Sequence, residues 1–150
     1  MAHRWYWLAG LLLVSLVGCG SRGAKAPIGP GGLSLELEVK PQVPIGEKVT
    51  MTLKVRNVSD RPITLELGLP EADFVVMTEN GEEVWRWSHD KAFIQIVVLL
   101  TLQPNEEKEY SVEWEQVDND GNRVSAGTYL VQGIFAWMME TEPKRLVILP

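Results

Sequence analysis

From Leu33 onward, apolar and polar residues alternate with a period of two. In "LSLELEVK" Leu33, Leu35, Leu37 and Val39 fall on one face, and Ser34, Glu36, Glu38 and Lys40 on the other, the pattern of a half-buried strand. "KVTMTLKVRNV" repeats it, with Val49, Met51, Leu53 and Val55 inward and Thr50, Thr52, Lys54 and Arg56 outward. The run "NVSDRP" turns the chain and "ITLEL" resumes the alternation. In "ADFVVMTENGEEVWRWS" two β-rich runs flank Asn80-Gly81, the dipeptide favoured by type I′ turns, which predicts a hairpin. Further strands are expected at "IQIVVLLTL", "KEYSVEWEQV", "GTYLVQGIFAW" and "RLVIL". No long amphipathic helix or internal repeat interrupts the series. The spacing predicts an all-β fold, an antiparallel β-sandwich of about eight strands, eight or nine, in two packed sheets.

The alternation also sorts the aromatics. Trp85 and Trp87 share one face, Tyr110, Val112 and Trp114 another, and Tyr129, Val131 and Phe135 a third. Inter-sheet core is the first reading of these rows, and an open aromatic groove for an extended ligand is the competing one. "FIQIVVLLTL" breaks the pattern. Ile94, Ile96, Val98 and Leu100 lie on one parity and Val97 and Leu99 on the other, so the segment is either covered or exposes an apolar patch.

Composition changes the picture at the N-terminus. A short stretch carrying Arg4 precedes a thirteen-residue apolar run, Trp5 to Val17, within the length of an export signal and short for a bilayer span. The junction "LVGC", Leu16 to Cys19, resembles the lipobox of bacterial lipoproteins. That resemblance implies that the Cys19 sulfur is diacylated, that the signal is cut just before it, and that the chain is held to the membrane outside the cytosol. Cys19 is the only cysteine, so no disulfide can form within the chain. Residues 20–32, "GSRGAKAPIGPGG", hold five glycines and two prolines and read as a flexible tether. As a loose coil such a stretch reaches about 20 Å. The expected organisation is therefore a signal peptide over 1–18, lipidated Cys19 and tether over 19–32, and one domain over 33–150.

Net charge is −6, and loss of Arg4 with the signal leaves 13 basic against 20 acidic residues, or −7. With no basic block, a nucleic-acid partner is not expected. "SHD", Ser88 to Asp90, has the residue types of a hydrolase triad. In an extended chain, however, His89 would face away from Ser88 and Asp90, and the nucleophile elbow G-x-S-x-G is absent. No catalytic residue is assigned. His89 is the one histidine after the signal, which leaves no soft zinc set. "QVDNDGNRV" imitates a calcium loop, but aligning Gly121 puts Gln116 and Gly127 where acidic ligands are needed, so a polar turn is expected. No metal, cofactor or phosphate-binding loop is expected.

One wider resemblance emerges from these runs. "DFVVMTENGEEVWRWSHDKAFIQ", "LTLQPNEEKEYSVEW" and "AGTYLVQGIF" resemble the intracellular proteinase inhibitor (BsuPI) family of bacilli. Its marks here are Asp73-Phe74, Gly81, Val84 to Ser88, Phe93, Gln95, the Pro104 turn and the Gly127-Thr128-Tyr129 strand start. Ala72 replaces the pattern's usual aromatic, and Pro104-Asn105-Glu106 its usual Pro-Gly-Glu turn. The resemblance implies an Ig-like sandwich that binds and inhibits a serine protease by protein–protein contact and has no enzymatic activity. No reactive-site residue is carried over, because the matched motifs read as core. Partner-binding residues are thus unknown, with the loops around Arg123 and Met138 as candidates. A non-catalytic scaffold module of the cell envelope is the competing function.

Overall fold

The computed structural model describes residues 30–150; Cys19, the signal and most of the tether lie outside the described residues. Strands β1 (Leu33–Val39), β3 (Val49–Asn57) and β8 (Glu107–Trp114) form one antiparallel sheet in the order β1-β3-β8. The second sheet has the order β2-β11-β9-β5-β6, from β2 (Gln42–Pro44), β5 (Ala72–Thr78), β6 (Glu83–Arg86), β9 (Gly127–Phe135) and β11 (Lys144–Leu149). A two-residue strand, β10 (Met139–Glu140), pairs with β9, and β4 (Ile63–Leu67) pairs with β7 (Val98–Leu102) as a separate ladder. The fold is an all-β sandwich.

The period-two rows supply its interior. Leu33, Leu35, Leu37, Met51, Leu53 and Val55 from the first sheet meet Phe74, Val76, Val131, Phe135, Leu146 and Ile148 from the second, all buried. Full burial of such side chains contributes about 1.5–3 kcal/mol each before chain entropy is counted against it. At Gly133 a Cβ would lie 3.0 Å from Leu53 Cδ1, so the glycine lets the opposite sheet pack close.

Several details depart from expectation. Among the described residues eleven strand segments form rather than eight or nine, the additional ones being the very short β2 and β10. One pair is parallel, β11 with β2. Its cause is Pro41, which has no N–H for the β1 ladder, so the chain crosses there to the other sheet while keeping its direction. The Asn80-Gly81 hairpin is real, but only Gly81 takes a left-handed φ, 85°. The Gly81 N–H donates to Thr78 O at 3.0 Å and Thr78 N–H to Glu82 O at 2.9 Å, a type I turn with a glycine bulge rather than type I′. Asn105 supplies the left-handed residue of the β7–β8 turn, φ 64°, where the family pattern has glycine.

Candidate partner-binding surface

The residues spelling a triad are not on a strand. The chain leaves extended conformation after Arg86 and turns through Trp87 to Asp90, with His89 N–H donating to Arg86 O at 3.1 Å and Lys91 N–H to Ser88 O at 3.1 Å. The geometry of an extended chain therefore does not apply there. The Ser88 hydroxyl donates to Asp73 Oδ2 at 2.6 Å, and His89 and Asp90 point into solvent.

Asp73 is the organising residue of this corner and is 2% exposed. Its carboxylate accepts from the N–H groups of Phe74 (2.9 Å) and Ser88 (3.1 Å), from Ser88 Oγ, and from Arg86 Nη1 (3.1 Å). A buried carboxylate is tolerated only when so completely paired. The other side of the Arg86 guanidinium reaches Glu83 Oε2, 3.0 Å from Nε and 2.9 Å from Nη2. Partial burial raises the Glu83 carboxyl, but hydrogen bonds from Arg86 and Asn119 outweigh it and hold the group below the usual carboxylate range. The family marks Asp73-Phe74 and Val84–Ser88 are thus a structural clamp.

What the clamp positions is the connector 91–97. At its start Phe93 packs on Trp87 with ring centroids 5.9 Å apart, and Lys91 lies over the Trp87 ring while donating to Trp87 O at 2.7 Å. At its end Val98 pairs with Leu67. Between these fixtures Ile96 N–H closes on Ile94 O at 3.1 Å, a three-residue turn centred on Gln95. The expected strand over 94–102 therefore forms only from Val98. Of its apolar residues, Leu100 and Leu102 pack inward, whereas Ile94, Ile96, Val97 and Leu99 are 46–69% exposed. The two-sided apolar run is an open patch.

The aromatic rows are core. Trp114 is fully buried, 6.2 Å from Trp85 and 5.9 Å from Tyr129 by ring centroid, and Tyr110 stacks 5.9 Å from Phe135. The Trp114 indole donates to Val117 O at 2.7 Å, which satisfies its one polar atom. An open aromatic groove is not formed by these residues.

The two candidate loops differ. In the Arg123 loop, Asp118 Oδ1 accepts the N–H groups of Asp120 (2.9 Å) and Asn122 (2.8 Å), and Arg123 Nη1 folds back to Glu115 O at 3.3 Å. The Asn122 amide foremost holds the Asp118 carboxyl below its ordinary range. This is the expected polar turn, occupied by its own donors. Gln116, assigned to that turn, is instead buried. Its side chain ties down the β2–β3 turn by accepting from Gly46 N–H at 2.9 Å and donating to Pro44 O and Glu47 O at 2.8 Å each. At the other loop, Met138 is 84% exposed beside Trp137 at 54%. Periodicity placed Trp137 on a strand. The chain instead turns at Ala136 and Trp137, both left-handed with φ of 53° and 59°. Such a backbone costs about 1–2 kcal/mol per residue bearing a Cβ, and no period-two pattern reveals it.

Comparisons with known proteins agree with this geometry. The family described as BsuPI, intracellular proteinase inhibitor, matches residues 33–139. No curated protein is significantly similar to the chain. Among solved structures, the β-glucosidase EmGH1 of Erythrobacter marinus aligns with TM-score 0.50 and 12% identity, covering 78% of this chain and 15% of that one. The alkylpurine DNA glycosylase AlkC of Pseudomonas fluorescens aligns with TM-score 0.50 and 11% identity, covering 79% of this chain and 31% of that one. This chain thus spans only a minor part of either protein, and the likeness is one of fold.

Proposed function

The chain belongs to the BsuPI family, intracellular proteinase inhibitors, and on that premise we propose that its sandwich domain binds a serine protease without itself being an enzyme, using the connector 91–97 as the contact segment. The single observation that supports this is the connector's construction. Three large apolar side chains, Ile94, Ile96 and Val97, stand in solvent on a segment fixed at both ends, and Leu99, just beyond it in β7, extends the patch. Contiguous exposed apolar surface marks interaction sites, and a segment held in one shape before binding loses less entropy on docking. The "LVGC" junction supports the location. Acylated Cys19 holds the domain at the membrane, outside the cytosol, so the family's intracellular name describes the relatives rather than this chain's site of action.

Titration of the detergent-solubilised protein against subtilisin-like and trypsin-like proteases tests the first part. Saturable inhibition with an intact connector is expected; cleavage of the chain as an ordinary substrate, with undiminished protease turnover, rules it out. Cys19→Ser tests the second: the variant loses its acyl label and its sedimentation with membranes.

A further inference from the structure

The strained turn between β9 and β10 lies at the end of the sandwich where the tether joins. Hydrogen bonds trace the path. Val58 N–H donates to Gly32 O at 2.8 Å at the foot of β1, and Asn105 N–H to Asn57 O at 2.9 Å. Next along that end, Lys108 Nζ donates to Glu71 Oε2 at 2.7 Å, and Ala136 N–H to Glu71 O at 2.8 Å. The path crosses three strands at about 4.8 Å spacing and one inter-sheet gap of about 10 Å. The turn therefore stands about 20 Å from the tether junction, no farther than a coil of the tether's length reaches. At this same end Val58 is 38% exposed, beside Gly32 itself, while Trp137 is 54% and Met138 84% exposed.

We propose that Trp137 and Met138, with Val58 beside the tether junction, rest in the headgroup region of the bilayer to which Cys19 is attached, and so fix the domain's orientation on the membrane. The contact rests on the reading of Cys19 as a lipid anchor. Tryptophan settles at membrane interfaces because its ring is apolar and its N–H polar. The backbone is left-handed at Ala136 and Trp137, Met138 N–H closes the turn onto Phe135 O at 3.2 Å, and Trp137 and Met138 are left in solvent. Local strain kept in a turn that points apolar groups into solvent indicates use. No basic cluster is needed, so the contact forms on a neutral bilayer. It also leaves the connector, on a different part of the chain, free for a protein.

The test uses the full lipidated chain on phosphatidylcholine vesicles with brominated acyl chains, which quench tryptophans that enter the bilayer. Sedimentation of wild type and of Cys19→Ser reads the anchor; the difference in quenching between wild type and Trp137→Ser reads the contact. Supporting results are sedimentation of wild type alone and a loss of at least half of the quenching in Trp137→Ser, with unchanged near-ultraviolet circular dichroism. Equal quenching in both sedimenting proteins overturns the contact while leaving the anchor intact, and is what a turn used for a protein partner would give. Failure of the wild type to sediment overturns anchor and contact together. Met138→Cys labelled with a polarity-sensitive dye gives an independent readout, with a blue shift on vesicles expected and no shift counting against the proposal.

Discussion

Two runs that carry large apolar side chains, one alternating with polar and charged residues and one nearly all apolar, meet opposite fates. In β8, Tyr110, Val112 and Trp114 face inward while Glu109, Ser111 and Glu113 face solvent. Every apolar side chain of that strand has a place between the sheets. In the run from Ile94 to Leu102, only the residues from Val98 onward are laddered, opposite Leu67 to Ile63, and only alternate ones point inward. Before Val98 no ladder exists and both parities face water. A pleated segment on one side of a sandwich can bury one parity at most. An apolar residue on the other parity therefore contributes nothing to this core, and its presence needs a reason outside the core. β8 is explained by folding; for the connector the reason proposed above is a partner.

That contrast is broken most directly at Trp114. Replacing it with alanine removes a fully buried ring in contact with Trp85 and Tyr129 and is expected to cost about 3–5 kcal/mol in urea unfolding. Ile94→Ala, 68% exposed, should stay within about 0.5 kcal/mol of wild type. Similar costs for the two would show that the connector packs like core.

Asp73→Ala comes next. It leaves Arg86 Nη1, the Phe74 N–H and the Ser88 donors without their acceptor, and a loss of about 2–3 kcal/mol is expected. The clamp also positions the connector, so amide hydrogen exchange at Ser88 and Lys91 should accelerate well beyond the change in β1 and β3. Uniform acceleration would mean that Asp73 supports the whole sheet and not this corner.

The contact role is sharpened by Val97→Asp and Ile94→Asp. Each puts a charge on the exposed patch without touching the buried rows. Protease affinity is expected to fall about tenfold or more, equivalent to about 1.4 kcal/mol. Inhibition titrations measure this, with unfolding midpoints as the control. An equal loss from Arg123→Ala, with none from the connector variants, would move the contact to the polar loop.

What could be read from the sequence follows the same division. Strict alternation specified β1 and β3 almost to the residue, because one wet and one dry face leave a single register, whereas the strand expected to run to Val117 ends at Trp114. The family marks located Asp73 and Trp87 but not what they do, since a buried carboxylate's partners come from another strand. The connector was legible as an anomaly only. Two-sided apolarity does not say which side stays open, and the fixtures at Trp87–Phe93 and Val98 depend on tertiary contacts. Trp137 was hidden altogether: it continues a strand-like run, and its turn lacks the Asn or Gly that usually mark left-handed positions.

The smallest effect concerns acid. Glu71 lies where β5 begins, accepting from Lys108 Nζ and from the Tyr110 hydroxyl, with a side chain 15% exposed. Burial alone would raise its carboxyl, but these two donors prevail and hold it below its ordinary 4.5. The same burial, with the Glu71 carboxylate beside it, pushes the Tyr110 phenol upward, so the phenol stays a donor. A carboxyl lowered on folding stabilises the native state above its unfolded value, and that contribution disappears as pH falls through the folded value. Stability should therefore drop below about pH 4.5, partly through this group, by about 1 kcal/mol or less. Glu71→Gln removes the titration, and its unfolding midpoint should vary less between about pH 6 and pH 3 than that of the wild type. Because Glu71 links the β8 row to the strained turn and does not touch the connector, protease affinity at neutral pH should be unchanged in this variant. A loss of affinity there would join the two regions that the buried and exposed runs otherwise keep apart.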